Sequence, residues 1–223
     1  MSNWIYLSYE LDSNTPTYGD GDRFKNNHLK QIKKGDTVNQ SHWTFTNHIG
    51  THIDVPYHFI QEGKTLSDYT PEFWIIRNTS LIDLTPIDPG EILNTKSLLP
   101  YFIPDDIELL LLKTGFCQHR YNETYWKYGP IILPDIAEYL RKNCPQLKLL
   151  GLDTISVSSY SERETGRKVH RAFLSGEQPI LLIEDMDLSC VNANTSFEQV
   201  IVSPLRVNKA DGSPCTVFAD ITK

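Results

Sequence analysis

The feature that most constrains this chain is the run HIGTHIDVPYH at residues 48–58. It holds three of the seven histidines of the chain, His48, His52 and His58, together with Asp54. In an extended strand, side chains two residues apart point to the same face and lie about 7 Å apart at the backbone. The spacing therefore predicts that His52 and Asp54 face one cavity.

The backbone of this run is predicted to be extended, because its apolar residues are β-branched and because Gly50 and Pro56 disfavour a helix. In a straight strand, His48 and His52 would lie about 13 Å apart, which is too far for one shared ligand. Gly50 can adopt a positive φ or a bulge that turns His48 back. We therefore expect a strand, a glycine kink and a second strand, with the even-numbered side chains facing the cavity. Pro56 has the same parity and predicts an edge strand or a strand end.

Imidazole and carboxylate groups together are typical ligands of zinc, manganese and iron. Burial of several imidazoles requires a partner for each ring nitrogen, and a cation can be such a partner. The spacing alone leaves three interpretations open: a metal site, a polar cluster without a metal, and a chance grouping. Three histidines and an aspartate on one face favour the metal site.

Length and composition indicate a single domain over residues 1–223. The formal net charge is -7, and the only basic group, around Lys30 to Lys34, is small, so we expect no nucleic-acid partner. The sequence contains no run of 18 apolar residues, so we expect no membrane span. The four cysteines have neither zinc-knuckle nor CxxC spacing, which favours reduced thiols in a cytoplasmic protein.

Apolar runs rich in β-branched and aromatic residues predict more strands than helices. The predicted strands are 5–10, 80–84, 107–113, 147–153, 180–184 and 200–207. Helical spacing of apolar residues predicts a helix from Pro134 to Cys144, with shorter helices at 72–75 and 91–98. Residues 156–169 are predicted to be a long polar loop. The expected fold is an α/β domain with a large mixed sheet and flanking helices.

The run HIGTHIDVPYHF resembles the HxGTHxDxPxHF signature of the cyclase-like metal-dependent hydrolases, which include kynurenine formamidases and isatin hydrolases. Further similar segments are spread over nearly the whole chain. They are IYLSYEL and TPTYGD near the start, KTGF, GPIILPDIAEYL and KLLGLDTISVS in the middle, and VSPLRVNKADGSP near the end. The resemblance implies a fold of the swivelling β/β/α type.

The resemblance also implies roles for individual residues. His48, His52 and Asp54 would hold one metal ion, and Asp54 would also contact a second. His170 and a bridging Glu184 would complete the second site, with Asp185 as the alternative to Glu184 because the spacing from His170 is wide. His58 would be the general acid/base, and Tyr18 would contact the substrate.

The implied activity is hydrolysis of an amide, formamide or cyclic amide of a small molecule by metal-activated water. One or two divalent ions, zinc or manganese, would bind each chain, and the family resemblance implies a homodimer or homotetramer.

Two other classes of function remain open. The His52-x-Asp54 pair with His170 also fits a mononuclear non-haem iron oxygenase, although His48 argues against it. The third class is a non-catalytic protein that binds a metal or ligand.

Overall fold

In the computed structural model, which describes residues 3–222, most strands belong to one nine-stranded sheet. The strands are β1 (Trp4–Tyr6), β2 (Lys25–Lys30), β3 (Gln40–Thr44), β4 (His52–Asp54), β5 (Ile75–Ile76), β6 (Thr79–Asp83), β7 (Ile92–Leu93), β8 (Leu109–Lys113), β9 (Ile131–Ile132), β10 (Leu149–Leu152), β11 (Leu181–Glu184), β12 (Ser196–Pro204) and β13 (Gly212–Thr222). The α-helices are α1 (Thr95–Leu98), α2 (Glu123–Lys127), α3 (Asp135–Asn143) and α4 (Arg163–Leu174). Short 3-10 helices cover Tyr18–Asp20, Ile32–Lys34, Pro56–His58, Leu66–Asp68, Pro71–Trp74, Phe116–His119 and Tyr160–Glu162.

The main sheet has the order β5-β12-β13-β4-β11-β10-β8-β6, with β1 paired to β13. The pairs β11/β10, β10/β8 and β8/β6 are parallel, and the remaining pairs are antiparallel. The prediction of an α/β fold with a large mixed sheet and flanking helices is therefore confirmed. Two smaller sheets, β2–β3 and β7–β9, stand apart from it.

The inner parallel strands β8, β10 and β11 are buried on both faces, as the unbroken leucine run of β8 shows. One face packs against α3 and α4 in a cluster that includes Leu110, Leu150, Leu182, Ile136, Leu140, Val169 and Phe173. The opposite face packs against the antiparallel half in a cluster that includes Leu109, Leu111, Leu149, Ile183, Val200, Val202, Val217 and Ala219. The sheet therefore curls around the second cluster, while the helices cover the first.

Each predicted strand has a counterpart, and the predicted helix at 134–144 is α3. The predicted polar loop at 156–169 is wrong, because α4 begins at Arg163. The exposed face of α4 is charged, and Val169, Phe173 and Leu174 form its buried face. The short helix expected at 72–75 is a 3-10 helix, and the segment at 91–98 is divided between β7 and α1. Among residues 3–222, no helix is long and apolar enough to cross a membrane.

The longest strand, β13, was not predicted, although its buried residues alternate from Ser213 to Ile221 as a half-buried strand requires. The β2–β3 hairpin was also missed, because every residue in these two strands is exposed and no apolar alternation marks them. Hairpin pairing joins Lys25 to Thr44 and Asn26 to Trp43.

β4 differs from the predicted arrangement in one respect: residues 48–49, directly before Gly50, do not form a strand, and the strand covers only His52–Asp54. Gly50 has the expected positive φ, 61°. Pro56 follows the strand end and begins a 3-10 helix, which confirms the predicted strand end. The kink at Gly50 therefore turns the chain into β4 and folds His48 back toward it.

We predict that Gly50→Ala destabilises the protein. An alanine at this φ costs roughly 1–2 kcal/mol in backbone energy, and its Cβ would lie 2.4 Å from Leu11 Cδ2. Urea denaturation measures the loss. Gly129→Ala is the control, because its nearest Cβ contact is an ordinary 3.6 Å. Equal stability of the two variants would contradict the role assigned to Gly50.

Candidate metal and catalytic site

Four predicted ligands converge from three elements. His52 and Asp54 lie on β4, Glu184 ends β11, and His170 lies on α4. Antiparallel pairing places Glu184 directly opposite His52, so these side chains share a face. His52 Nε2 lies 3.4 Å from Glu184 Oε2 and 3.6 Å from Asp54 Oδ1. His170 Nε2 lies 3.5 Å from Glu184 Oε1 and 3.6 Å from Asp54 Oδ2.

The backbone fixes the orientation of both imidazoles. His52 Nδ1 lies 2.8 Å from the carbonyl oxygen of Gly50, and His170 Nδ1 lies 2.7 Å from that of Gly166. A carbonyl only accepts, so each Nδ1 carries a hydrogen, and each Nε2 faces the carboxylates. Against the effect of burial, hydrogen bonds to Glu184 raise the pKa of both imidazoles, so Nε2–H donates to the carboxylates until a cation takes its place. A bond from the second ring nitrogen to a carbonyl is the usual support of a metal-binding histidine.

The carboxylates are buried and ionised. Glu184 Oε1 accepts hydrogen bonds from the Val157 amide at 2.8 Å and the Ser156 hydroxyl at 3.0 Å. Burial alone would raise the pKa of Glu184, but its contacts with His170 and His52 outweigh burial and hold that pKa below its usual range. The pKa of Asp54 is also lowered: burial and Glu184 oppose ionisation, and His48 and His52 favour it.

A second group shares Asp54. His48 Nδ1 lies 2.7 Å from Asp54 Oδ1, and His48 Nε2 lies 2.9 Å from Asp211 Oδ2. The same Asp211 oxygen lies 2.9 Å from His58 Nδ1, and the His48 and His58 rings stack with centroids 3.9 Å apart. Burial lowers the pKa of His58 most, with His48 and His170 adding to that effect, so its imidazole is favoured over its imidazolium.

Asp211 is the residue of this site that the sequence reasoning missed. No role was predicted for it from the sequence. In the structure, Asp211 lies beside β13, whose first residue, Gly212, pairs with Asp54. The available signal was its position in VNKADGSP, a segment already noted for its resemblance to the family.

Asp185, the alternative to Glu184, points away from the cluster. Its carboxylate receives hydrogen bonds from Arg120 Nε at 2.9 Å and Nη2 at 2.6 Å, and from the Tyr125 hydroxyl at 2.6 Å. Arg120 also stacks on Tyr9, with Cζ 3.8 Å from the ring centroid. Asp185 has a positive φ of 52°, which makes a tight turn directly after β11. The buried ion pair with Arg120 stabilises this turn.

A cavity of about 400 Å³ opens onto both groups. Tyr18, the predicted substrate contact, is in its wall. Its ring lies against Tyr160, with centroids 5.2 Å apart and the planes at 66°. Phe59 stacks on the His170 ring with centroids 4.6 Å apart. The cavity thus has a cluster of imidazoles and carboxylates at one end and aromatic rings along its sides.

The residues present fit a divalent cation. Ligand atoms held at about 2.0–2.2 Å around a tetrahedral zinc ion lie about 3.3–3.6 Å from one another. The four distances from the His52 and His170 Nε2 atoms to the carboxylates fall in that range, between 3.4 and 3.6 Å, but the two imidazoles face different oxygens of Asp54 and of Glu184. The ligand atoms of His52, Asp54 and Glu184 lie within 4.8 Å of one another. A second set, His48, Asp54 and His58, also has its ligand atoms within 4.8 Å of one another. The two sets share Asp54, so the donors can serve one ion or two.

Comparison with known proteins identifies the family. The Cyclase family model matches residues 5–159. This chain belongs to the cyclase family. The Bacillus cereus kynurenine formamidase is 30% identical to this family member over 213 residues, which are 96% of this chain and 95% of the relative. The Bacillus anthracis kynurenine formamidase is 29% identical over the same length.

Solved structures share the fold of this cyclase-family chain. Isatin hydrolase A from Labrenzia aggregata superposes with a TM-score of 0.82 at 17% identity, over 100% of this chain and 94% of that one. A Bacillus stearothermophilus protein described as a predicted metal-dependent hydrolase superposes with a TM-score of 0.77 at 18% identity, over 99% and 98% of the two chains. The fold expected from the sequence resemblance is therefore confirmed.

We predict that Arg120→Met lowers the free energy of unfolding by about 3–5 kcal/mol, because it leaves the Asp185 carboxylate buried without its cation. Thermal or urea unfolding measures the loss. Lys127→Met is the control, since it breaks an exposed ion pair to Glu123 on α2 and is expected to cost far less. A small, equal effect of both substitutions would contradict the role given to Arg120.

Proposed function

We propose that this chain is a metal-dependent hydrolase that cleaves a carbon–nitrogen bond of a small amide, formamide or cyclic amide. The observation that carries the proposal is the convergence of the His52 and His170 Nε2 atoms on the buried carboxylates of Asp54 and Glu184. The names of the relatives, kynurenine formamidase and isatin hydrolase, support the bond type. Zinc or manganese suits this set of imidazole and carboxylate donors.

In this proposal, His48, His52 and Asp54 would hold one divalent ion, and His170 and Glu184, with Asp54, would hold a second where two ions bind. An ion held there lowers the pKa of a bound water and polarises the scissile carbonyl. The chain's own residues prepare the site. The carbonyls of Gly50 and Gly166 fix the two imidazoles, and the Val157 amide and Ser156 hydroxyl fix Glu184.

His58 is proposed to move the proton. Its Nδ1 bonds to Asp211, which sets the ring orientation and leaves Nε2 available for a water or leaving group. The lowered pKa of His58 favours the neutral imidazole that accepts a proton. Once charged, the ring is stabilised by Asp211 and can donate the proton to the departing nitrogen. Asp211 also holds His48, so one carboxylate positions both rings.

The aromatic walls support a small, planar substrate, because Tyr18 and Phe59 offer flat apolar surfaces beside the cluster.

The exposed apolar residues of the hairpin region, Leu29, Ile32, Val38 and Trp43, support the expected homodimer or homotetramer. A two-stranded hairpin is marginally stable by itself and gains from a covering surface.

We predict that a panel of N-formylkynurenine, formanilide and isatin includes at least one substrate hydrolysed with added zinc or manganese and without oxygen. Removal of metal by a chelator is expected to reduce that rate by at least about 100-fold, since activation of the bound water is lost. Readdition of the ion restores it. Dependence on oxygen would instead support a mononuclear iron oxygenase.

Matched histidine variants separate the proton transfer from metal binding. His58→Ala is expected to keep its metal content and lose about 100- to 10,000-fold in rate. His42→Ala, on exposed β3, is the control and keeps both. Hydrolysis of none of the compounds under any metal condition would contradict the proposed function, and so would an unchanged rate of His58→Ala.

A further inference from the structure

The face of α4 that carries His170 continues into the cavity with two arginines. Arg163, Gly166, Arg167 and His170 are spaced at i, i+3, i+4 and i+7, so they lie on one side of the helix. All four line the cavity. With a rise of 1.5 Å per residue, Arg167 and Arg163 lie about 4.5 Å and 10.5 Å along the axis from the imidazole. The cavity therefore has a cationic wall that begins next to the metal ligands.

Within the described residues, neither guanidinium is held by a carboxylate or a hydrogen bond. Among residues 3–222, Arg163 and Arg167 form no salt bridge and no side-chain hydrogen bond, and both are exposed. The charged pair on the opposite side of α4 is different, since Lys168 Nζ lies 3.0 Å from Glu164 Oε1. The arginines thus keep their hydrogen-bond donors free on the side that lines the cavity.

The aromatic wall connects the arginines to the position of the substrate. Arg163 lies over the Tyr160 ring, with Cζ 5.1 Å from the centroid, and Tyr160 packs on Tyr18. Burial, with the Glu184 charge, raises the pKa of the Tyr18 hydroxyl to about 12, and the charges of Arg163 and Arg167 oppose that rise. The positive charges of both arginines therefore reach the part of the cavity that Tyr18 lines.

We propose that Arg163 and Arg167 form an anion subsite that selects amide substrates carrying a carboxylate, held away from the scissile bond along α4. The proposal rests on the proposed function and specifies its substrate class. Arginine suits this task because its planar fork bonds a carboxylate through two parallel N–H groups. The carboxylate would provide the partner that both guanidinium groups lack, while the amide faces His52, His170 and the shared carboxylates.

A pair of substrates that differ by one carboxylate tests the subsite. The substrates are 4-formamidobenzoate and formanilide, assayed with metal-loaded wild type, Arg163→Gln, Arg167→Gln and the double variant. The measured quantity is the ratio of kcat/KM for the acid to kcat/KM for the neutral amide. Loss of charge-assisted hydrogen bonds is expected to lower this ratio roughly 10- to 100-fold in the double variant, mainly through KM. Lys168→Gln removes one charge from the opposite side of α4 and should leave the ratio within about twofold.

A binding measurement separates the failure of this proposal from the failure of the proposed function. Calorimetry with benzoate and benzamide on the same metal-loaded proteins needs no turnover. Weaker binding of benzoate, but not of benzamide, in the double variant supports the subsite even if no amide is hydrolysed. An unchanged substrate ratio, benzoate binding that is equal in wild type and double variant, or no benzoate binding to wild type overturns it.

Discussion

Two buried carboxylates, Asp54 and Glu184, impose the constraint on which this structure depends. Each is at most 3% exposed, and their charges repel across a space that water cannot screen well. Imidazoles keep them ionised: His48 and His52 lower the pKa of Asp54, and His170 and His52 lower that of Glu184. A divalent cation would stabilise the two ionised carboxylates more strongly, since its charge neutralises both of them at once.

The fold around this pair holds the donors in place. β4 lies between β13 and β11, so strand register sets both neighbours of the cluster: Glu184 faces His52, and the chain before Gly212 brings Asp211 to His48. Hydrogen bonds from the backbone then remove the freedom of the rings. The buried pair of Arg120 and Asp185 stabilises the turn directly after Glu184. His52, Asp54, Glu184 and His170 are thus fixed by strands and a helix, whereas His48 and Asp211 lie in the connections directly before β4 and β13.

The sequence could predict the parts of this arrangement that depend on local spacing. The His52-x-Asp54 pair needs only the two-residue period of a strand, and the return of His48 needs only a glycine with positive φ. The position of Asp211 depends on the pairing of β13 with β4, about 160 residues apart, which no local pattern reports. The same limit applies to α4: its polar first half was interpreted as a loop, and its apolar contacts come from distant strands. Asp185 and Glu184 were inseparable in sequence because a one-residue change of register reverses the face.

The most direct test of the account is anomalous X-ray diffraction from crystals grown with zinc or manganese, which locates bound ions without reference to activity. We predict at least one ion among His52, His170, Asp54 and Glu184, with metal–ligand distances of about 2.0–2.2 Å. Where two ions bind, His48 and His52 would contact one and His170 the other, with Asp54 in contact with both. Ordered crystals with saturating metal and no ion among these four side chains, or with His170 turned away from Asp54 and Glu184, would contradict it.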